Sequence, residues 1–66
     1  MKITINGEPQ NVDGPIPLAA LLTHLNVDSR RVAVEHNLVV VKRERYEATM
    51  VNDGDEIEIV NFVGGG

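Results

Sequence analysis

The chain has 66 residues, of which 42% are hydrophobic, no cysteine, and a formal net charge of −4 from six basic and ten acidic residues. This length supports one small domain, and the lack of cysteine excludes disulfides and thiolate metal ligands. The acidic balance argues against nucleic acid as a partner, because binding to phosphates depends on basic surface. The opening residues alternate in polarity and no segment has the length of a membrane span, so we expect a cytoplasmic protein with no membrane partner.

The first residues predict a β-hairpin. Residues 2–5 alternate between polar and apolar side chains, as in a half-buried strand. Asn6-Gly7 is a strong signal for a tight turn that needs positive φ, and a return strand is expected from Glu8 to Val12. Pro9 has no N–H to donate to a sheet, so this return strand should lie at a sheet edge.

An amphipathic helix is expected after the break at Asp13-Gly14-Pro15. Its apolar stripe has the spacing i, i+3, i+4 and i+7 and consists of Leu18, Leu21, Leu22 and Leu25. Pro17 suits the first turn, where a missing N–H costs nothing, and Asn26 is a left-handed terminator. Two to three turns of helix should therefore cover one face of a sheet.

The second half of the chain predicts three more strands. They are expected at residues 31–35, 38–41 and 56–63, with turns at His36-Asn37 and Asp53-Gly54. Residues 42–50 are charged and irregular, with one helical turn expected around Tyr46. The order β-β-α-β-β-β predicts an α+β fold in which a mixed sheet of about five strands is covered on one face by a single helix.

A single helix leaves the other face of this sheet uncovered. In the last strand the two isoleucines share one face, while Glu58, Val60 and Phe62 share the other. If the isoleucines pack under the leucine stripe, Val60 and Phe62 face outward beside Ala33. Exposed apolar patches on small domains are typical of partner sites. A bulge near Asn61 that turns Phe62 inward is an equally good interpretation of the sequence.

Ordinary catalytic chemistry is not evident. Neither His24 nor His36 has a carboxylate at metal-ligand spacing, Ser29 lacks the context of a nucleophile, and no glycine-rich loop precedes a helix. The acids between Asp53 and Glu58 are interpreted as a solvated turn and strand face, and Tyr46 as a small satellite contact. We therefore expect no catalytic residue, no metal, no bound cofactor and no enzymatic activity of the chain by itself.

The chain ends in Gly64-Gly65-Gly66, directly after the apolar segment 60–63. Glycine tolerates backbone angles closed to other residues, so a terminal carboxylate on such a stalk can enter a narrow site of a partner. A frayed end or a linker is the alternative, but linkers usually contain serine and this run contains none. We expect a folded domain at residues 1–63, a flexible tail at 64–66, and the chemistry at Gly66.

Taken together, the chain resembles the ubiquitin-like β-grasp sulfur carriers, and most closely the ThiS family of thiamine biosynthesis. The resemblance spans the whole chain and is carried by Val32–Asn37, by Val39–Arg43 with Tyr46, and by Asp53–Gly66, which is the specific part. Two positions depart from the family, which often has proline where Lys42 stands and tryptophan where Tyr46 stands. Both lie in the irregular segment, away from the tail.

The resemblance implies a mechanism. A ubiquitin-activating-type adenylyltransferase would use ATP and Mg²⁺ to adenylate the carboxylate of Gly66. A persulfide from a cysteine desulfurase or another donor would displace AMP, and the resulting thiocarboxylate would supply sulfur to thiazole synthase. Gly64 and Gly65 would thread the partner's channel. The residues implied to dock the sheet face are Val60, Phe62, Ala33 and Glu58.

Three other functions fit the same pattern. The small subunit of molybdopterin synthase shares the fold, the tail and the thiocarboxylate chemistry, although such proteins are usually longer and reach their glycines through a different segment. A ubiquitin-like modifier needs the same tail to form an isopeptide bond with a lysine. A plain interaction module would have the fold and an idle tail, since fold alone does not decide function.

Overall fold

The computed structural model describes residues 1–62, and within them the chain forms one α-helix, two short 3₁₀ helices and seven strands. The strands are β1 Lys2–Ile5, β2 Glu8–Asn11, β3 Ile16–Pro17, β4 Val32–His36, β5 Val39–Val41, β6 Met50–Val51 and β7 Glu56–Asn61. Helix α1 spans Leu18–His24, and the 3₁₀ helices span Ser29–Arg31 and Arg43–Arg45. The predicted tail at 64–66 lies outside the described residues, as does residue 63.

Five strands form one mixed sheet in the order β2-β1-β7-β4-β5. The central pair β1–β7 is parallel, while the other neighbours are antiparallel. This confirms the predicted five-stranded sheet with one helix, and strand β2, which contains Pro9, lies at an edge as expected. The additional pair β3–β6 was not predicted, because two-residue strands are too short to show a periodic pattern.

The predicted turns and helix terminator adopt the left-handed backbone that their residue types favour. Asn6 and Gly7 have φ of 50° and 83°, Asn26 has φ of 59°, and Gly54 has φ of 87°. The turn between β4 and β5 lies one residue later than predicted, at Asn37-Leu38, because His36 pairs with Val39 in the ladder. Leu38 therefore belongs to the turn and not to strand β5.

The core lies between α1 and the sheet. Leu18, Leu21 and Leu22 are buried against strand residues from β1, β4 and β7, as the leucine stripe predicts. Among residues 1–62 no polar or charged residue is buried. Tyr46 is 3% exposed and belongs to this main core, so its interpretation as a satellite contact was wrong.

Tyr46 is drawn into the core because its segment caps the helix. The N–H of Leu18 donates to the carbonyl of Thr49 at 2.7 Å, and the N–H of Ala19 donates to the carbonyl of Tyr46 at 3.0 Å. These bonds satisfy helical donors that otherwise lack partners. Pro17 does not lie within the first turn of the helix. It immediately precedes Leu18, and its backbone, with φ of −62°, is extended. Within residues 1–62, no helix has the length and hydropathy that crossing a bilayer requires.

Candidate functional site

The outer sheet face is the side of the sheet that points away from α1. Successive residues of a strand point to opposite faces, and the buried residues of β4 and β7 point toward the helix. The alternate residues therefore form the outer face. On these two central strands they are Ala33, Glu35, Glu56, Glu58 and Val60.

The outer sheet face brings the predicted docking residues together. Ala33 lies directly opposite Val60 in the β4–β7 ladder, and Glu58 lies two residues before Val60 on the same face. Val60 is 60% exposed and Phe62 is 58% exposed. The prediction that these two side chains face solvent is confirmed, whereas their docking role stays a prediction.

The alternative of a bulge near Asn61 was wrong. The β4–β7 register is unbroken up to the pair Val32–Asn61. The N–H of Phe62 then donates to the carbonyl of Arg31 at 2.9 Å, which continues the antiparallel pattern one residue further. Because the backbone stays regular, the side-chain alternation persists and Phe62 remains outside the core.

Strand β5 adds apolar surface to which the sequence had suggested no role. Val40 lies opposite Glu35 on the outer sheet face and is 68% exposed. Leu38 in the preceding turn is exposed as well, at 81%. A continuous apolar run is compatible with both a buried and an edge strand, and only the pairing order places this one at the edge.

The acids between Asp53 and Glu58 divide into two groups. Asp53 accepts a hydrogen bond from the N–H of Lys2 at 2.6 Å, and Asp55 belongs to an internal cluster, so both carboxylates already have partners within the fold. Glu56 and Glu58 are exposed. Glu58 lies directly opposite Glu35, a like-charged pair that is mildly destabilising in a sheet.

The internal cluster consists of His36, Asn37 and Asp55. His36 Nε2 lies 2.7 Å from Asp55 Oδ2, while Asn37 Nδ2 donates to Asp55 Oδ1 at 3.2 Å. The N–H of Asn52 also donates to Asp55 Oδ2, at 2.8 Å, and the N–H of Glu56 donates to Asn37 Oδ1, at 2.8 Å. The cluster therefore fastens the β4–β5 turn to the beginning of β7. The fold thus brings to His36 a carboxylate that lies 19 residues away in the sequence.

The environment of Asp55 favours its ionised form. Partial burial acts to raise the pKa of Asp55, but hydrogen bonds from the N–H of Asn52, from His36 and from Asn37 outweigh this effect and hold the pKa below its usual range. One histidine and one carboxylate do not make a metal centre, and within residues 1–62 no group of three or more potential ligands is present. The geometry of the cluster supports a structural role, which is to hold the β4–β5 turn against the beginning of β7.

The chain leaves the described fold at one end of the sheet, where a groove of about 340 Å³ opens. Its lining combines apolar with polar and charged side chains. The apolar part is formed by Val32, Ala33, Val40, Val41 and Phe62 together with Tyr46, and the polar and charged part by Ser29, Arg30, Arg43 and Glu44. The predicted residues Gly64, Gly65 and Gly66 follow this point and lie outside the described residues.

Comparison with known proteins identifies the family of this chain. Residues 3–66 match the ThiS family. The chain belongs to the ThiS family.

Members of the ThiS family and their solved structures agree with the fold described above. A crystal structure of the thiamine biosynthesis protein ThiS from Geobacter metallireducens has a TM-score of 0.87 and 43% sequence identity, with both chains covered completely. The sulfur carrier protein ThiS of Bacillus subtilis is 44% identical over 46 residues, which is 70% of each chain. The predicted ubiquitin-like β-grasp fold is therefore confirmed.

The ThiS-like segment also occurs within larger proteins. A thiazole synthase of Paramagnetospirillum magneticum is 53% identical to this chain over all 66 residues, and a thiazole synthase of Magnetococcus marinus is 46% identical. The chain spans about a fifth of the length of these two relatives, 20% in each case.

Proposed function

We propose that this ThiS-family chain is a sulfur carrier for thiamine biosynthesis and that the sulfur is carried on the carboxylate of Gly66. The observation that carries the proposal is the family match through residue 66, which includes the three terminal glycines. The similarity to the sulfur carrier of Bacillus subtilis supports the same role. In this role the chain is a co-substrate of other enzymes and not a catalyst.

The proposed chemistry begins with activation of the carboxylate. An α-carboxyl group has a pKa of about 3.5 and is ionised at neutral pH, so it is a poor electrophile. A ubiquitin-activating-type adenylyltransferase joins it to AMP, with release of pyrophosphate from ATP bound with Mg²⁺. A persulfide sulfur then attacks the acyl carbon and AMP leaves. A thiol reduces the remaining sulfur–sulfur bond, and the thiocarboxylate is released.

The proposed acceptor of the sulfur is thiazole synthase. Two thiazole synthases contain a segment similar to the whole of this chain, which supports physical association between the two activities. A thiocarboxylate is nucleophilic and delivers sulfur to the forming thiazole ring. The persulfide donor, such as a cysteine desulfurase, is required by the chemistry of the preceding step.

The outer sheet face provides the docking surface in this proposal. Val60 and Phe62 are exposed beside Ala33, and Glu58 flanks them. Val40 enlarges the apolar patch from the neighbouring strand. An exposed apolar patch that leads to the end of the last strand is suited to hold the carrier while the tail is in a partner's channel.

Intact mass spectrometry tests the proposal. The chain is incubated with ATP, Mg²⁺ and the adenylyltransferase, with and without a sulfide or persulfide donor. We expect a mass gain equal to AMP, which changes with the donor to the replacement of one oxygen by sulfur. An unchanged mass, with a partner that is active on another carrier, would contradict the proposal.

A blocked terminus is the matched control. The proposal requires a free carboxylate at Gly66, and one added residue converts this group to an amide. The extended chain should therefore gain no mass. Protein conjugates on a denaturing gel would instead indicate a modifier.

A further inference from the structure

The basic residues of the chain are concentrated where it leaves the described fold. Two short segments, residues 28–31 and 42–45, contribute Ser29, Arg30, Arg43 and Glu44 to the lining of the groove, and we call the two segments together the exit collar. The collar holds five of the six basic residues and two acidic ones, a net charge of +3, and the rest of the chain carries −7. The positive side chains of the collar are Arg30, Arg31, Lys42, Arg43 and Arg45.

The basic side chains of the collar differ in whether they are already paired with a carboxylate of the chain. Arg30 makes a two-pronged contact with Asp28, at 3.1 Å through both Nε and Nη2, and Arg31 Nε lies 3.6 Å from the same carboxylate. Hydrogen bonds from Arg30 lower the pKa of Asp28 to about 2, so this carboxylate is ionised at neutral pH. In the second segment, Lys42, Arg43 and Arg45 are exposed and make no ion pair with any described residue.

The collar contributes charged side chains to a groove that is otherwise mostly apolar. Arg30 and Arg43, one from each segment, line the groove together with the exposed Phe62 and other apolar side chains. Such a groove fits an apolar side chain flanked by carboxylates, because the apolar lining removes apolar surface from water and the arginines pair with the negative charges.

The length of the tail determines which part of the partner the collar contacts. Four residues follow Phe62, and four fully extended residues span at most about 14 Å. Charges separated by more than about 8 Å are largely screened at physiological salt. A tail held fully extended in a partner's channel would place the collar beyond this screening length from the nucleotide that Gly66 must reach, at the mouth of the channel.

We propose that the exit collar docks on an acidic, apolar rim around the channel of the adenylating partner. This inference rests on the proposed function and adds to it the chemical character of the partner's surface. The positive collar steers the tail toward the channel, although the chain as a whole is negative. Its main effect is on the formation of the complex and not on the chemical step.

The test is the initial rate of adenylation as a function of carrier concentration. The double variant Arg43→Glu/Arg45→Glu should raise KM about tenfold with kcat changed less than about twofold, because like charges then face each other at the rim. The single variant Glu44→Lys should lower KM. Added salt should raise the KM of the unmodified chain more than that of the double variant. Screening removes an attraction to the partner that only the unmodified chain has.

Lys2→Glu is the control at a distant position, since it makes one charge reversal of the same kind at the opposite end of the sheet, half the total change of the double variant. The Lys2 carbonyl accepts from the N–H of Gly54 at 2.7 Å, just before β7 begins, whereas the collar lies where β7 ends. Its KM should stay within about twofold of the unmodified chain. Arg43→Lys/Arg45→Lys keeps the charge and should also keep KM. All variants are checked for unchanged thermal unfolding, and Lys42→Glu replaces the Arg43→Glu/Arg45→Glu variant if that variant unfolds.

The outcomes separate the two proposals. Normal KM for the Arg43→Glu/Arg45→Glu variant, or an equal loss in the lysine variant or in Lys2→Glu, would overturn the collar's role and leave the carrier function intact. No adenylation of the unmodified chain by an active partner would overturn the carrier function and the collar with it. Binding of the unmodified chain to the partner, measured without ATP at low and high salt, reports on the collar independently of activity.

Discussion

Leu38 has a backbone conformation that residues other than glycine and asparagine rarely adopt. Its φ is 70° and its side chain is 81% exposed, so no burial offsets the strain in the described fold. The left-handed region costs a residue with a Cβ about 1–2 kcal/mol. The preceding Asn37 suits its own positive φ, and its side chain is held in the His36 cluster.

We predict that Leu38→Gly stabilises the chain. Glycine removes the strain of the turn, while its greater freedom in the unfolded chain offsets part of the gain, which leaves about 0.5–1 kcal/mol. The free energy of unfolding in urea measures the effect. Val40→Gly is the control, because it loosens a regular strand position and should destabilise; equal destabilisation by Leu38→Gly would contradict the strain.

Asp55 is the residue on which the pH dependence of stability should depend. Its pKa is lowered in the folded state, so its contribution is complete above the ordinary aspartate pKa of about 3.9 and is lost as pH falls through the folded value. Asp55→Asn should cost about 1–3 kcal/mol at neutral pH, since it removes charge-assisted hydrogen bonds. The difference in stability from the unmodified chain should shrink as pH falls from about 5 to about 2.

Urea unfolding across this pH range tests the prediction for Asp55. Glu56→Gln serves as the control, because the exposed carboxylate of Glu56 makes no hydrogen bond with the described residues. A stability difference that stays constant down to the lowest pH would show that Asp55 acts only through its shape.

At the scale of elements, the ladder between β4 and β7 separates the two roles of the sheet. Val32, Val34 and Ile57 are buried beneath α1, and the alternate residues form the outer sheet face. Because the register continues to Phe62, the core and the proposed docking surface come from the same strands without sharing a side chain. A substitution on the outer face should therefore change binding to a partner with little change in the free energy of unfolding.

We predict that Phe62→Ala weakens binding to the adenylyltransferase by roughly tenfold, as loss of an aromatic anchor does at many interfaces. Its unfolding free energy should fall by less than about 1 kcal/mol, because the ring is already 58% exposed. Titration of the partner and thermal unfolding measure the two effects. Met50→Ala removes an exposed apolar side chain from β6 and should leave binding unchanged.

At the scale of the whole molecule, folding and chemistry occupy different parts of the chain. The core cluster lies within residues 3–57, and its members come from both halves of the sequence. The proposed chemistry lies at Gly66, beyond the last core residue. Stability and carrier activity should therefore respond to different substitutions.

The tail provides the test of this separation. Gly65→Val should slow adenylation strongly and Gly65→Ala should slow it less, because a Cβ and its branches restrict backbone angles and widen the stalk. Both variants should retain the thermal unfolding of the unmodified chain. An adenylation rate equal to that of the unmodified chain in Gly65→Val would contradict the threading of the tail through a channel.

The sequence by itself determined the features that depend on local chemistry. The leucine stripe placed α1, Asn6-Gly7 placed the first hairpin, and Pro9 put β2 at an edge, because spacing, φ preference and the missing N–H act within a few residues. Alternation in the last strand also predicted an outward Val60, but it left Phe62 open between an outward and an inward position until the β4–β7 register was known. The terminal glycines, with the resemblance that they completed, indicated the family.

Only the tertiary structure decided what depends on partners distant in the chain. Asp55 meets His36 across 19 residues, Tyr46 enters the core because its segment caps α1, and Val40 is exposed because the β4–β5 register places it on the outer sheet face. The exit collar likewise joins two short helices that are separated in sequence. No local pattern encodes these contacts, since each depends on the order in which the strands pair.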